Sequence, residues 1–215
     1  MPNVIPVIIG MILRIPILFI HGKRINVKWF KLPILAILFT IFELVGTMLL
    51  FLIENGVLGG MSYYGGILLM PIFGLLLALI FRIKYLDMMD LFATVAGAMI
   101  VMRIQCIIMG CCGGKVLFMY DDIAIRFPNR TIEIVTVLII TIVVLNLGKK
   151  EKYRGFLYPI YMISYSLMRF CTNWFREGVT PFVGVLPAGN FWALVAIVIN
   201  VAWVFVLIKR KKRIS

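Results

Sequence analysis

Charged residues are scarce in this sequence. They make up 14% of the chain, whereas hydrophobic residues make up 63%. A soluble domain carries about a quarter charged residues, because its surface must face water. The shortage of charge therefore excludes a soluble globular domain and predicts a surface that faces lipid. Each helix that crosses a bilayer needs roughly 20 apolar residues, so this chain has room for about seven such helices.

Histidine and cysteine are also rare. His21 is the single histidine, and the four cysteines include no Cys-x-x-Cys pair. Metal sites and disulfide frameworks need these residues at characteristic spacings, so we expect no metal and no cofactor. The first basic cluster follows the first apolar segment instead of preceding it and consists of Lys23, Arg24, Lys28 and Lys31. A cleavable signal peptide is therefore not expected, and the first segment is predicted to be a retained span.

Long apolar runs between charged loops predict a single polytopic membrane domain over residues 1–215. Backbone amides must be hydrogen-bonded within lipid, which favours helices, and the short alternating strands of a closed barrel are not visible. The predicted fold class is an all-α integral membrane protein with about seven transmembrane helices. The predicted spans are residues 4–20, 32–53, 61–81, 88–109, 131–147, 155–174 and 186–208.

Lysine and arginine are distributed unevenly between the predicted spans. One set of connecting segments carries fifteen of them and the other set carries four. Because cytoplasmic loops are enriched in these residues, the count predicts an N-terminus outside and a cytoplasmic C-terminus. The net charge of +13 thus reflects membrane topology. The basic tail, residues 209–213, is typical of an anchor to anionic lipid, and no nucleic-acid partner is expected.

Three arginines fall inside predicted spans: Arg14, Arg103 and Arg169. A charge at the bilayer centre costs at least about 2.5–3.5 kcal/mol, so such residues are candidates for function. Arg14 lies in the weakest span, where a long side chain can also reach the interface. Tyr165 and Asn173 lie one turn before and one turn after Arg169, so these three residues share one helix face.

Two explanations for the arginines remain open. They can pair with internal acids such as Glu43 or Glu133 and thereby lock helices together. Alternatively, they bind a phosphate group, which a guanidinium matches in a bidentate way. Arg176 extends the face of Arg169 to the end of the sixth span. In a membrane protein the obvious phosphate is a phospholipid headgroup.

Glycines are concentrated near the outer ends of the third and fourth predicted spans. They permit either a cavity that a ligand approaches closely or tight packing between helices. Their position at the same depth as Arg103 favours the cavity. These glycines are Gly59, Gly60, Gly65, Gly66, Gly110, Gly113 and Gly114.

Five sequence blocks resemble the prolipoprotein diacylglyceryl transferase family, from about residue 40 to the C-terminus. In order, they are GGMSYYGG, RIQCIIMGCCGGK, RFPNRTIE, GFLYPIYMISYSLMRFCTNWFREG and LPAGNFW. The family is similar in topology, with seven helices in the bacterial plasma membrane. The resemblance implies an enzyme of lipoprotein biosynthesis. Such an enzyme moves the diacylglyceryl group of phosphatidylglycerol, or of another anionic phospholipid, to a cysteine thiol of a preprotein or related acceptor.

The resemblance also implies roles for individual residues. Tyr64, Arg103 and Arg169 take catalytic positions, although the family usually has a histidine at the position of Tyr64. An acid of the family is replaced by Asn173. Together with the glycine pattern, the resemblance predicts a second group of residues that bind substrate. They are Gly65, Gly66, Gly114, Glu133, Tyr165 and Arg176.

Two other functions stay open. A non-catalytic phospholipid-binding or lipid-handling protein on the same fold would keep the arginines and lose the acid–base groups. A thiol-redox protein would use Cys106 with Cys111 or Cys112 near the outer face, where thiols can oxidise. Packing of small apolar side chains is the simpler explanation for these cysteines.

Overall fold

A computed structural model describes residues 4–57, 60–108, 110, 113–120, 123–179 and 181–214. Within these ranges the chain forms nine α-helices. They are α1 (Val4–Gly22), α2 (Lys31–Asn55), α3 (Tyr63–Leu68), α4 (Met70–Phe81), α5 (Tyr85–Ala96), α6 (Ile100–Ile108), α7 (Asn129–Gly148), α8 (Leu157–Asn173) and α9 (Ala188–Ile214). A short 3-10 turn, Gly97–Met99, joins α5 to α6.

Five helical stretches in the described ranges are long and apolar enough to cross a bilayer. They are Ile5–Ile25, Lys31–Asn55, Tyr85–Ile108, Asn129–Gly148 and Ala188–Lys212. The third predicted span is formed by the shorter helices α3 and α4, and the sixth by α8. The mostly helical fold agrees with the predicted class. The number of seven spans and the orientation of the termini stay predictions.

Two prolines lie at the beginnings of helices. Pro71 lies at the start of α4, just after the end of α3, because proline has no N–H to donate and clashes with a preceding helical turn. Pro159 lies in the first turn of α8, where an N–H is not needed for the helical ladder. The third predicted span is therefore two helices, and α3 carries Tyr63 and Tyr64 at its first positions.

Helix α8 lies in the interior of the fold, where it packs on α9, α7 and α5. Polar side chains are costly in lipid, so a helix of this composition is stable when protein surrounds it. Its buried polar and aromatic side chains include Tyr158, Tyr161, Tyr165, Ser166, Arg169 and Asn173. Helices α7 and α9 instead expose large apolar side chains, among them Ile139 and Val198. Such side chains are suited to contact with lipid.

Arg14 is completely buried between α1 and α2. It forms an ion pair with Glu43, and its Nη1 donates a hydrogen bond to Thr40 Oγ1 at 2.9 Å. The alternative that the long side chain of Arg14 reaches a membrane interface does not apply, because Arg14 is buried and its charge is compensated inside the protein. Internal pairing explains this arginine, since a buried charge is tolerated when an opposite charge accompanies it.

Two short hairpins connect helices at one end of the molecule. Strands β1 (Val116–Tyr120) and β2 (Ile123–Arg126) pair antiparallel between α6 and α7. Strands β3 (Pro181–Val183) and β4 (Leu186–Pro187) pair antiparallel between α8 and α9. The all-α prediction misses these strands. Every residue of β1 and β2 is exposed, so the alternating pattern of a half-buried sheet is absent from the sequence.

Candidate functional site

A cavity of about 610 Å³ lies between the ends of α2, α6 and α8 and the beginning of α7. Its volume lies within the range of small-molecule sites, about 300–1,000 Å³. Its charged side chains are Glu54, Arg103, Glu133, Arg169, Arg176 and Glu177, and its tyrosines are Tyr63, Tyr64 and Tyr165. Six of the nine residues that the sequence predicts for the site line this cavity. The three others are the glycines.

Arg103 and Arg169 converge on the carboxylate of Glu133. Arg103 Nε lies 3.2 Å from Glu133 Oε2, and Arg169 Nη1 pairs with Glu133 Oε1. The side chain of Glu133 is 4% exposed and that of Arg169 is 8% exposed, whereas Arg103 is 20% exposed. Internal pairing thus explains these contacts, in which two guanidinium groups share a single carboxylate. Binding of a phosphate by the same arginines stays a prediction.

The face of α8 lies along the cavity as the spacing predicts, with Tyr165, Arg169 and Asn173 all in the wall. Asn173 Nδ2 donates a hydrogen bond to Asn190 Oδ1 of α9 at 2.5 Å. Asn190 Nδ2 in turn donates to the carbonyl oxygen of Phe170 at 3.0 Å. These bonds join the end of α8 to α9. The amide of Asn173 therefore has a structural partner.

Arg176 brings a third positive charge to the cavity, and its charge acts on Glu133. The segment that follows α8 is held against the segment that follows α6. Arg176 forms a β-bridge with Gly114, and the Lys115 N–H donates a hydrogen bond to the Phe175 carbonyl oxygen at 2.8 Å. These two backbone contacts, just before strand β1, thus fix the position of Arg176.

Gly114 is buried at this bridge and does not line the cavity. A Cβ atom at this position would lie 2.9 Å from the carbonyl carbon of Phe127, so a side chain does not fit without a backbone shift. The absence of a side chain allows the bridge that carries Arg176. Direct binding of substrate by Gly114 stays a prediction, and the contact that the structure shows is support of Arg176.

Gly65 and Gly66 pack against α2 and do not line the cavity. A Cβ on Gly66 would lie 2.6 Å from Glu43 Cγ, and a Cβ on Gly46 would lie 2.5 Å from the carbonyl oxygen of Gly65. Such close approach is typical of small residues at helix interfaces in membranes. Of the two explanations for the glycines, the contacts of this pair favour tight helix packing. Their part in substrate binding stays a prediction.

Three tyrosines form one side of the cavity. The ring centroid of Tyr165 lies 5.1 Å from that of Tyr63 and 5.5 Å from that of Tyr64. Arg103 donates a hydrogen bond to the hydroxyl of Tyr165. The hydroxyl of Tyr63 lies 3.1 Å from that of Tyr161. Tyr165 therefore holds Arg103 from one side while Glu133 holds it from the other.

Tyr64 is 3% exposed, and its hydroxyl has no hydrogen bond of normal geometry to a described group. The hydroxyl of Ser166 and the charge of Arg169 lie nearby. A buried hydroxyl without a partner is costly, so this one is available to a ligand in the cavity. A phenol with an ordinary pKa of about 10 is protonated at neutral pH. At this position the chain thus presents a hydrogen-bond donor.

Three polar residues of the cavity region were not predicted. Glu54 lies in the cavity wall at the end of α2. Glu177 lies at the rim and pairs with Arg126. Asn129 is buried and its Nδ2 lies 3.4 Å from Glu133 Oε1. Its spacing of four residues from Glu133 is a sequence signal that identifies it, whereas nothing local connects Glu54 to the arginines.

Cys106 lines the cavity and Cys171 is exposed on α8. Cys111 and Cys112 lie outside the described residues, as does Gly59. The thiol-redox alternative, which needs Cys106 with Cys111 or Cys112, stays a prediction.

A family model described as prolipoprotein diacylglyceryl transferase matches residues 16–206 of the chain. The match spans most of the 215 residues and includes every cavity residue named above. No curated protein matches the chain.

Proposed function

This chain belongs to the prolipoprotein diacylglyceryl transferase family, and we propose that it transfers the diacylglyceryl group of phosphatidylglycerol to a cysteine thiol of a secreted preprotein. Membership makes it a transferase of lipoprotein biosynthesis, and its apolar helices indicate a multi-pass membrane protein. The lipid donor, the preprotein acceptor and a location in the bacterial plasma membrane belong to the proposal.

The observation that carries the proposal is the gathering of three arginines near one buried carboxylate in the cavity wall. Arg103, Arg169 and Arg176 surround the single carboxylate of Glu133. A phosphodiester headgroup carries one negative charge, and the glycerol phosphate that leaves carries two. Fixed positive charge at the site where negative charge develops lowers the barrier of the reaction.

Each residue of the cluster has a distinct role in the proposed reaction. Arg103 and Arg169 bind the phosphate oxygens, and Arg176 contributes further positive charge. Glu133 orients the two paired arginines, because both of its oxygens already accept contacts from them. Tyr64 donates a hydrogen bond to a lipid oxygen, which satisfies its buried hydroxyl.

The reaction forms a carbon–sulfur bond and breaks a carbon–oxygen bond. The acceptor thiol loses its proton, and the sulfur attacks the diacylglycerol carbon that carries the phosphate. The bond between that carbon and the phosphate oxygen breaks, and its electron pair leaves with glycerol phosphate. The arginines stabilise the second negative charge of this leaving group.

Reconstitution of the purified protein with phosphatidylglycerol and a lipobox peptide tests the proposal. We expect the peptide to gain the mass of one diacylglyceryl group, with one glycerol phosphate released per peptide. A peptide with serine in place of cysteine and vesicles without phosphatidylglycerol serve as controls. If phosphatidylglycerol copurifies but no cysteine acceptor gains mass, the protein is a non-catalytic lipid-binding member of the fold.

A further inference from the structure

The cavity contains three carboxylates, and they differ in what surrounds them. Glu133 receives Arg103 and Arg169. Glu177 pairs with Arg126 at the rim, where its side chain is 54% exposed. Among the described residues, Glu54 takes part in no ion pair. It is therefore the cavity carboxylate with room to accept a proton.

The carboxylate of Glu54 is half-buried and held in a defined position. It accepts a hydrogen bond of 3.0 Å from the Ser62 hydroxyl, and the indole of Trp192 lies beside it. These neighbours are neutral, so they orient the carboxylate without neutralising its charge.

Glu54 lies in the last turn of α2, which ends at Asn55. The carboxyl end of a helix carries partial negative charge, so an acidic residue is unfavourable there. Among the described residues, no ion pair compensates for the negative charge of Glu54 at this end of the helix. An unfavourable local position at a cavity wall is characteristic of a residue retained for chemistry.

Glu54 and the arginines belong to different walls of the cavity. Helix α2 packs on α1, α3 and α4, whereas α7 packs on α6 and α8, which carry the phosphate-binding arginines. The charge of Arg169 nevertheless acts on Glu54, so the two groups face the same space. Displacement at carbon requires the incoming sulfur and the leaving oxygen on opposite sides. A base on the α2 wall meets this requirement.

We infer that Glu54 is the general base that takes the proton from the acceptor thiol, an inference that rests on the proposed transferase function. The S–H proton passes to a Glu54 oxygen as sulfur bonds to the diacylglycerol carbon and glycerol phosphate departs. Glu54 then releases the proton to water at the partly open end of α2. The two other cavity carboxylates among the described residues are held in ion pairs, and Glu54 has the position for this task.

The inference is tested by a substitution of Glu54, combined with acceptor peptides that carry either sulfur or selenium as the attacking atom. The variant Glu54→Gln keeps the hydrogen bond from Ser62, because its amide oxygen is still an acceptor. Initial rates are measured with a lipobox peptide that carries cysteine and with one that carries selenocysteine, whose selenol is already ionised at neutral pH. Glu151→Gln, at the opposite end of the helices, is the matched control.

With the cysteine peptide we expect the rate of E54Q to fall by about 100-fold or more, the usual contribution of a positioned base. With the selenocysteine peptide we expect the rate of E54Q to stay within about threefold of the wild-type rate, because no base is needed. E54Q that matches wild type on cysteine overturns the inference. E54Q that fails on both peptides also overturns it, since Glu54 then serves folding or lipid binding. Wild-type protein that modifies neither peptide overturns the proposed function itself.

Discussion

Arg169 of α8 and Glu133 of α7 form an ion pair in which the side chains are only 8% and 4% exposed. The same carboxylate receives Arg103 and lies near Asn129. This carboxylate is therefore the point at which α6, α7 and α8 are joined beside the cavity. Removal of one partner from such a pair leaves a buried charge without compensation.

We expect Glu133→Gln to lower the free energy of unfolding by about 3–5 kcal/mol, because Arg169 loses its counter-charge. Unfolding in detergent micelles, followed by circular dichroism, measures the change. Glu151→Gln is the control, since that side chain is 70% exposed in a surface pair and should cost less than about 1 kcal/mol. Equal effects of the two substitutions would contradict the role of Glu133 as the centre of the cluster.

The substitution Arg169→Lys tests whether the phosphate is bound by positive charge alone or also by the planar geometry of the guanidinium group. Lysine preserves the pairing with Glu133 but lacks the planar fork that matches phosphate. We expect the stability to change little, while the transfer rate falls by about 100-fold, as on loss of one stabilising donor. Rates with phosphatidylglycerol and a lipobox peptide, corrected for folded protein, measure the effect.

A matched control for Arg169→Lys lies at the opposite end of the helices. Arg154 contacts both oxygens of Asp87, at 2.6 Å and 2.7 Å. Arg154→Lys should lower stability slightly and leave the rate per folded molecule unchanged. A wild-type rate for R169K would show that the phosphate does not depend on bidentate recognition by this residue.

Removal of the Tyr64 hydroxyl should affect activity more than stability. Because that hydroxyl has no hydrogen bond of normal geometry to a described group, we expect Tyr64→Phe to change the free energy of unfolding by less than about 0.5 kcal/mol. The transfer rate should fall by about 100-fold if the hydroxyl donates to the reacting lipid. Thermal unfolding and the lipidation rate are both measured.

Tyr158→Phe should have the opposite effect, which is a loss of stability without a change in the transfer rate. The Tyr158 hydroxyl donates to the carbonyl oxygen of Ile67 at 2.7 Å and is buried. Its loss leaves that carbonyl unpaired and should cost about 1–3 kcal/mol without a change in rate. Equal rates for Y64F and wild type would show that the Tyr64 hydroxyl takes no part in the reaction.

Adjacent glycines permit a test of how Arg176 is positioned. An alanine at position 114 would collide with the backbone of Phe127, whereas a Cβ at Gly113 would meet its nearest atom at 3.4 Å, an ordinary contact. We expect Gly114→Ala to displace Arg176 and lower the transfer rate by about tenfold, the equivalent of roughly 1.4 kcal/mol. Gly113→Ala should behave like wild type. Identical rates for the two alanine variants would show that the bridge at Gly114 does not determine the position of Arg176.

The face of α8 was predictable because helical spacing is a local property of the sequence. Tyr165, Arg169 and Asn173 line the cavity as residues four apart on one helix should. Pairing with an internal acid such as Glu133 was one of the two explanations that the sequence left open for Arg103 and Arg169. The anion that the structure shows is Glu133, which both arginines share.

Other features depend on tertiary contacts that no local pattern records. Glu54 and Arg169 belong to distant segments, and only the packing of the helices brings them to one cavity. Gly65 and Gly66 fit a cavity wall as well as a helix interface by sequence, and their contacts with α2 favour the helix interface. Helix α8, which the sequence predicts as the sixth span, is shorter than the other long helices and carries buried polar side chains, and its tertiary contacts explain why this is stable.

The bridge between Gly114 and Arg176 links the outermost loops to the interior of the protein. A preprotein that pushes the first hairpin aside would also pull on Arg176. In the proposed reaction, access for the acceptor and contact with the lipid phosphate would thereby be mechanically connected. Displacement of this loop by the arriving peptide would loosen the hold on the headgroup, and its return after release of the product would reset the pocket for the next lipid.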